Sequence, residues 1–360
     1  MAEKWRTMEI VAKYPLLSAN RIPHEFQYTD KLVKLLMRIV ETKPYLEEYL
    51  GQPLELQLLR QAKIRAITFS NQIEGNQLEE RGVTKVIESD EREDLTKDET
   101  EVLNYRDALD YAETLAKEKS RFKLRDLCDL QKLVTRDVLG DKKQSGALRT
   151  IQVNIADAHS GKKIDDCPEP HQLRGLMDEL WQWLDESQET DPFVRAFAFH
   201  YIAVAIHPFV DGNGRTMRLA QHLLLLKNGA EIAKFVPSET AIMATRDKYY
   251  SSIRQCKALG SLNPIVEYLA ECFATSAEEV FKESKALVRK SLGRKPEARH
   301  AKILNLSKQK KEFSISDVIA ILTEVPRRTL ERDMATLVES KHLKAIGDKK
   351  ARVYSRRPKK

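Results

Sequence analysis

Twelve consecutive residues, His207-Pro208-Phe209-Val210-Asp211-Gly212-Asn213-Gly214-Arg215-Thr216-Met217-Arg218, hold the residue types that phosphate chemistry needs. Gly212-Asn213-Gly214 tolerates left-handed backbone angles and directly precedes a helical pattern. Successive N–H groups in such a turn point into one concavity, and the helix behind it adds its positive N-terminal dipole, so the turn makes an anion nest. Arg215 and Arg218 lie three apart and project from one side of that helix's first turn. Two guanidinium groups beside a nest suit a polyphosphate better than a single anion. Asp211 brings one carboxylate to the same place, which is how Mg2+ is commonly held, with phosphate oxygens and water completing its shell. His207 closes the preceding helix and can face the pocket as a general base. Singly, each feature is an ordinary turn, helix end or solvated charge. Together they indicate a phosphate- and metal-binding site, and hence a nucleotide-using transferase.

Helices have to carry this loop. Apolar residues at helical spacing predict one over Pro192–Ile206 before it and one over Arg215–Lys227 after it. The restriction that proline places on its predecessor ends the first at His207. Further helices are expected over Thr29–Thr42, with Pro44 as the stop, and over Leu54–Ile73, closed by Glu74-Gly75-Asn76. The same spacing predicts Glu101–Lys117, Leu124–Leu139, Leu173–Leu184, Ser238–Leu259 and Ile265–Leu292. One segment departs from this period. Arg149–Ile155 places β-branched residues at alternate positions from Ile151 and reads as a strand, with a polar return to about Pro170. In a mostly helical chain it forms a hairpin with an exposed edge. Residues up to Glu25 read as an irregular arm, and Gly293-Arg294-Lys295-Pro296 as a linker.

Beyond the linker, three short helices are expected over His300–Lys308, Ser314–Thr323 and Arg327–Lys341. Ser314 caps the second and Pro326 starts the third. Leu343–Ile346 and Arg352–Tyr354 make a small hairpin. Three helices and a basic hairpin constitute a winged helix-turn-helix. From Pro296 to Lys360 there are 17 Lys and Arg against 8 Asp and Glu, so the chain's net charge of +7 belongs to this end. Arg327, Arg328 and Arg332 on the third helix, with Lys349, Lys350 and Arg352 on the wing, are placed to meet DNA phosphates or base edges. Winged helices serve equally as protein-interaction or dimerisation modules, and the tail Arg356–Lys360 reads as solvated.

At 360 residues the chain is expected to hold two or three domains, and 42% hydrophobic with 32% charged residues describes a folded protein with a highly charged surface. The start, Met1-Ala2-Glu3-Lys4-Trp5-Arg6, does not read as a secretory signal, and no apolar run approaches a bilayer's span. No membrane partner is expected. Cys128, Cys167, Cys256 and Cys272 are scattered without a C-x-x-C pair, which argues against structural zinc and for reduced thiols in a cytoplasmic protein.

The stretch His207–Arg218 resembles the Fic family's motif, His-x-Phe-x-(Asp/Glu)-Gly-Asn-Gly-Arg-x-x-Arg, at every fixed position. The resemblance extends roughly from Glu101 to Phe281. It implies a mainly α fold, a Fic-type helical bundle with a β-hairpin flap, to which the winged helix is appended. The corresponding domains are an N-terminal helical region over 1–100, a catalytic core over 101–292 and the winged helix over 296–360. It also implies a protein adenylyltransferase that moves AMP from ATP onto a protein Ser, Thr or Tyr hydroxyl. By that resemblance His207 deprotonates the target hydroxyl, and Asp211 holds Mg2+ on the α- and β-phosphates. The Gly212, Asn213 and Gly214 amides form the anion hole, Arg215 and Arg218 grip the β- and γ-phosphates, and Phe209 anchors the loop. Tyr249 and Tyr250 stand where relatives place aromatic residues near adenine, although a tyrosine pair in a helix reads equally as core. The flap, with Gln152, Val153 and Asn154, receives the target's chain as an added strand.

Ser70-Asn71-Gln72-Ile73-Glu74-Gly75-Asn76 resembles the family's inhibitory motif, (Ser/Thr)-x-x-x-Glu-(Gly/Asn). The resemblance implies that Glu74 pairs with Arg218, with Ser70 on the same helical face and Gly75 closing the turn, so that ATP binds in an unproductive pose. Two other readings remain open at this point. One is a DNA-binding regulator that senses nucleotide without turnover; the other is a Fic enzyme that removes AMP or moves another phosphate-containing group. The target protein and the oligomeric state are not specified by the sequence, and a homodimer stands as one option.

Overall fold

Pro192–Ile206 is apolar on all sides apart from Arg195 and His200 and lies inside, with Phe197, Phe199, Ile202 and Ala203 fully enclosed. The Asp191 carboxylate caps it, accepting from the N–H groups of Phe193 and Val194 at 2.9 and 3.3 Å, and Pro192 occupies its first turn. The computed structural model describes residues 13–49, 52–156, 161, 163–294, 296–323, 325–347 and 352–357. They form a mainly helical chain in two compact units: described residues up to Pro44 with Leu56–Val280, and Tyr45–Glu55 with residues from Phe281 onward. No helix among the described residues is long and apolar enough to cross a membrane.

In the larger unit Leu173–Glu186 and Asn213–Lys227 pack on the central helix, and Asn213–Lys227 packs in turn on Lys97–Lys117 and Leu124–Val134. The loop with the phosphate-binding residue types therefore joins two helices that are packed along their length. Gln52–Ile73 ends at a turn in which Gly75 adopts φ 99°, close to the expected boundary.

Several elements differ from expectation. The arm contains a short helix, Pro15–Ala19, because the Glu179 carboxylate accepts the N–H groups of Leu16 and Leu17 at 2.9 and 2.8 Å; residues 1–12 lie outside the described residues. Asp30–Tyr49 continues through Pro44. The carbonyl that loses its partner belongs to Val40, a 60% exposed residue where water can replace the bond. Glu80–Ser89 was not expected. It is a short amphipathic helix that buries Val83 and Val86. Lys97–Lys117 begins four residues early because Thr96 and Glu99 form a reciprocal capping box. Leu124–Val134 stops before Leu139, and Asp137 turns to φ 58°. The helix expected over Ser238–Leu259 breaks at Thr245 into Glu239–Ala244 and Arg246–Leu259, with the Thr245 hydroxyl bonded to the Ala241 carbonyl and the Tyr268 hydroxyl.

The expected strand is shorter than Arg149–Ile155. Only Asn154–Ala156 pairs, antiparallel with Lys163–Asp166 and with a register shift after Ile155. Upstream, side chains take the carbonyls that a longer ladder would use: Arg149 Nη1 donates to the Ile151 carbonyl at 3.0 Å, and Gln152 Nε2 to that of Cys167 at 2.8 Å. Gln152 and Val153 therefore sit outside the ladder and Asn154 opens it.

The expected linker is helical instead: Asn263–Arg294 runs through Gly293, and Pro296–Gln309 starts at once, Lys295 lying outside the described residues. A single helical glycine costs only about 1 kcal/mol against alanine, and proline suits a first turn. In the smaller unit Pro296–Gln309, Ile315–Ile321 and Arg327–Glu339 surround Ile303, Phe313, Val318, Leu330, Met334 and Leu337. Ser314 caps the second helix as expected, and Pro326 stands at the N-cap of the third. Phe313–Ser314, Leu343–Ile346 and Val353–Arg356 form a three-stranded antiparallel sheet with Val353–Arg356 in the middle. The buried Arg299 and Asp333 form a paired fork at 2.5 and 2.9 Å. Lys349 and Lys350, assigned to the wing, lie outside the described residues, as does the tail from residue 358.

Candidate active site

Two left-handed residues make the loop. His207 leaves the central helix at φ 52°, and Gly212 enters the next one at φ 77°. A Cβ on Gly212 would meet Thr135 Cγ2 at 2.8 Å, so glycine is required there by space as well as by φ. Asn213 holds the turn shut: its amide donates to the Phe209 carbonyl at 2.8 Å and accepts the Phe209 N–H at 3.0 Å. Phe209 is fully buried and fixes the loop to the core. Gln131, also fully buried, donates to the Asp211 carbonyl at 3.0 Å and accepts the Gly146 N–H at 2.5 Å.

The two arginines are both about 97% buried or more, and they face different partners. Arg218 Nη2 donates to Glu74 Oε1 at 2.8 Å and to the Ser70 carbonyl at 2.9 Å, while its Nε donates to the Ser70 hydroxyl at 2.8 Å. Burial disfavours this guanidinium cation, but the Glu74 carboxylate together with Tyr105 and Tyr249 outweighs it, so Arg218 stays charged. Its Nη1 is buried without a protein partner. Arg215 Nη1 lies 3.1 Å from Glu101 Oε1 and 3.5 Å from the Asn71 amide oxygen, and its Nη2 is 4.0 Å from Asp211 Oδ2. Its Nε is likewise buried and unpaired. Two orphaned guanidinium N–H groups beside a glycine turn are the kind of donors that a bound phosphate satisfies.

Glu74 covers the turn. A Cβ built on Gly214 would overlap the Glu74 carboxylate and lie 3.2 Å from Arg218 Nη1. Ser70 and Glu74 thus meet the loop in space, although 144 positions separate Glu74 from Arg218. Gly75 forms the turn after Glu74, and Asn76 reaches the Glu101 carboxylate at 3.0 Å.

Asp211 presents a half-exposed side chain whose Oδ1 accepts the Gly212 N–H at 2.6 Å. Among the described residues no group of three or more His, Cys, Asp and Glu side chains could cage a metal. One accessible carboxylate fits an ion that takes its remaining ligands from phosphate and water, as Mg2+ does. His207 is part-exposed, and burial with the neighbouring Arg149 guanidinium holds its imidazolium below the ordinary histidine range, against the Val204 carbonyl and the carboxylates of Glu74 and Asp211. It is therefore neutral, the form a base needs, at neutral pH.

The tyrosine pair lies deeper. Tyr249 is 3% exposed and its hydroxyl bonds His200 Nε2 at 2.9 Å, so this ring belongs to the core. Tyr250 is 8% exposed and lies under the Arg246 guanidinium, 4.9 Å from its centroid. The sequence reading missed Glu101, Gln131 and Arg149, which hold the site's backbone and cations. A charged or amide side chain on an otherwise apolar helix face, as at Glu101 beside Val102 and Tyr105, is the signal that could have found the first two.

Residues 121–225 match the model of the Fic/DOC family. The chain is 36% identical over 163 residues to a protein adenylyltransferase fic-1 of Caenorhabditis elegans, covering 44% of this chain and 28% of that protein. It is 31% identical over 222 residues to a protein adenylyltransferase Fic of Drosophila virilis, covering 59% and 42%. The chain thus spans less than half the length of these curated relatives. Its fold is similar to the crystal structure of a Fic family protein from Desulfovibrio desulfuricans, with a TM-score of 0.62 at 24% identity over 94% of this chain and 99% of that one. Fic-1 from C. elegans superimposes with a TM-score of 0.57 at 25% identity, over 76% and 75% of the two chains.

Proposed function

The chain carries a Fic/DOC family domain, and from that premise we propose that it is a protein adenylyltransferase held inactive by Glu74. The observation that carries this reading is the contact of Glu74 and Ser70 with Arg218, beside a glycine turn flanked by His207 and Asp211. His207 takes the proton of a target Ser, Thr or Tyr hydroxyl. The hydroxyl oxygen attacks the α-phosphorus of ATP, the bond to the oxygen bridging the α- and β-phosphorus breaks, and pyrophosphate leaves with that electron pair. The chain's contribution is positioning and charge neutralisation. The Asn213 and Gly214 amides and Arg215 receive phosphate oxygens, the Gly212 N–H being held by Asp211 Oδ1, and Arg218 receives the γ-phosphate once Glu74 withdraws. Asp211 would hold Mg2+ together with the phosphates, and the ion would neutralise charge developing on them. Asn154 and the strand it opens offer an edge on which a target's backbone can pair. The four free cysteines accord with a cytoplasmic setting.

Two results are expected of the active form. In the Glu74→Gly protein, transfer from labelled ATP should be level through neutral pH and fall on acidification, with an apparent midpoint below the ordinary histidine value of about 6.5. The sign follows from His207, whose lowered value means that protonation removes the base only in acid. Circular dichroism at each pH separates this limb from unfolding. Buried His200 and His222, pushed down to about 3 and about 4, stay neutral in the fold and so lower stability as pH falls through the unfolded-state value. A midpoint above 7 would remove His207 from the base role. Introducing Gly214→Ala into the Glu74→Gly protein should leave the fold intact, since the position is helical, yet abolish transfer because the methyl group enters the anion nest beside Arg218. Undiminished labelling would place the phosphates elsewhere.

For the smaller unit we read the helix order and the strand order as a winged helix whose partner is DNA. Arg328, Arg332, Lys344, Arg352 and Arg356 are exposed on the third helix and the hairpin, while Arg327 is engaged by Glu331 at 2.8 Å. Retardation of duplex DNA in a gel should weaken steeply between low and moderate salt; no retardation at low salt would favour a protein partner instead.

A further inference from the structure

Arg149 sits at the junction between the flap and the base. It is 2% exposed, and its guanidinium ends on main-chain oxygens in three directions. Nε donates to the His207 carbonyl at 2.7 Å, Nη1 to that of Ile151 at 3.0 Å, and Nη2 to that of Pro168 at 2.6 Å. Its own N–H donates to the Pro208 carbonyl at 2.9 Å. Ile151 leads into the first flap strand, and Pro168 follows the second. One planar side chain thus ties both flanks of the flap to the residue that must receive the hydroxyl proton. Its His207 partner carries the left-handed φ of 52°, a conformation that a non-glycine residue holds only when its surroundings impose it.

We infer that Arg149 is the positioning residue that sets the register between a target chain paired on the flap and the His207 base. This rests on the proposed transfer reaction. A rigid fork suits the task, because only guanidinium presents donors to three carbonyls in one plane; a lysine ammonium keeps the charge and loses the geometry. The phosphate turn has its own supports, the Asn213–Phe209 pair and Gln131 on Asp211, so nucleotide binding should not depend on Arg149. Misplacement by about 1 Å at a reacting centre costs about 100-fold in rate.

The test uses the full chain with Glu74→Gly, alone and combined with Arg149→Lys or Arg149→Ala, incubated with Mg2+ and ATP labelled at the α-phosphate. The expected result is self-labelling about 100-fold slower in both double variants, with an unchanged KM for ATP and an unchanged thermal shift on adding Mg2+ and ATP. Guanidinium chloride at millimolar concentration should recover part of the Arg149→Ala loss, where sodium chloride at the same ionic strength does not. Labelling at the Glu74→Gly rate would overturn the inference. So would loss of ATP binding in step with labelling, since Arg149 would then support the whole pocket. If Glu74→Gly alone labels nothing, it is the proposed reaction that fails, and this inference with it.

Discussion

Replacing Glu74 by glycine is expected to raise AMP transfer, including transfer onto the protein itself, by about 100-fold or more. One preorganised donor to developing charge in a buried site is worth about that much, and Arg218 is such a donor once released. Its Nη2 is occupied by Glu74 Oε1 at 2.8 Å, and the same carboxylate covers Gly214, so nucleotide phosphates and Glu74 compete for one space. The substitution has a stability signature as well. Removing one partner of a buried ion pair costs about 3 kcal/mol or more. The low end applies here, because Glu74 is 27% exposed in its side chain and Arg218 keeps both bonds to Ser70. The Glu74→Gly protein should therefore melt earlier than the parent in buffer and be stabilised more than the parent by Mg2+ and ATP. Equal labelling of the two proteins at saturating ATP would remove Glu74 from the inhibitory role.

The second large effect is expected at His207. In the Glu74→Gly background, His207→Ala should reduce transfer by about 100- to 10,000-fold, the range general bases contribute. ATP affinity should survive, because the loop is held through Phe209, Asn213 and Gln131 and not through the imidazole. A kinetic comparison with isothermal titration of ATP into both proteins checks this. Transfer that persists in the absence of the imidazole would assign the proton to another group.

Much of this site was legible in the sequence because its parts are consecutive. A helix end, a glycine turn and a helix start put His207, Asp211, Gly212 and Gly214 within one loop wherever the chain goes. The pairing of Glu74 with Arg218 was legible only through the resemblance to a known motif, since no local spacing connects residues 144 positions apart. The same motif gave both arginines to the nucleotide and was silent about Arg215's own partners, Glu101 and Asn71, which lie on two other helices. The flap was the weakest expectation. Alternation of β-branched residues from Ile151 described the backbone as extended, but the side chains of Arg149 and Gln152 compete for the carbonyls, and pairing starts only at Asn154. Pro44 and Gly293 misled in the opposite sense. Each is a local helix breaker overridden by the good helix formers on either side.

Intact-mass spectrometry of the Glu74→Gly protein after incubation with Mg2+ and ATP tests the proposed reaction most directly, with fragmentation to locate the adduct. The account predicts the mass of one or more added AMP groups on Ser, Thr or Tyr, with pyrophosphate released in equal amount and the adduct forming at least about 100-fold more slowly when His207 is also replaced. An unmodified protein, or one that carries phosphate while ADP accumulates, would contradict it.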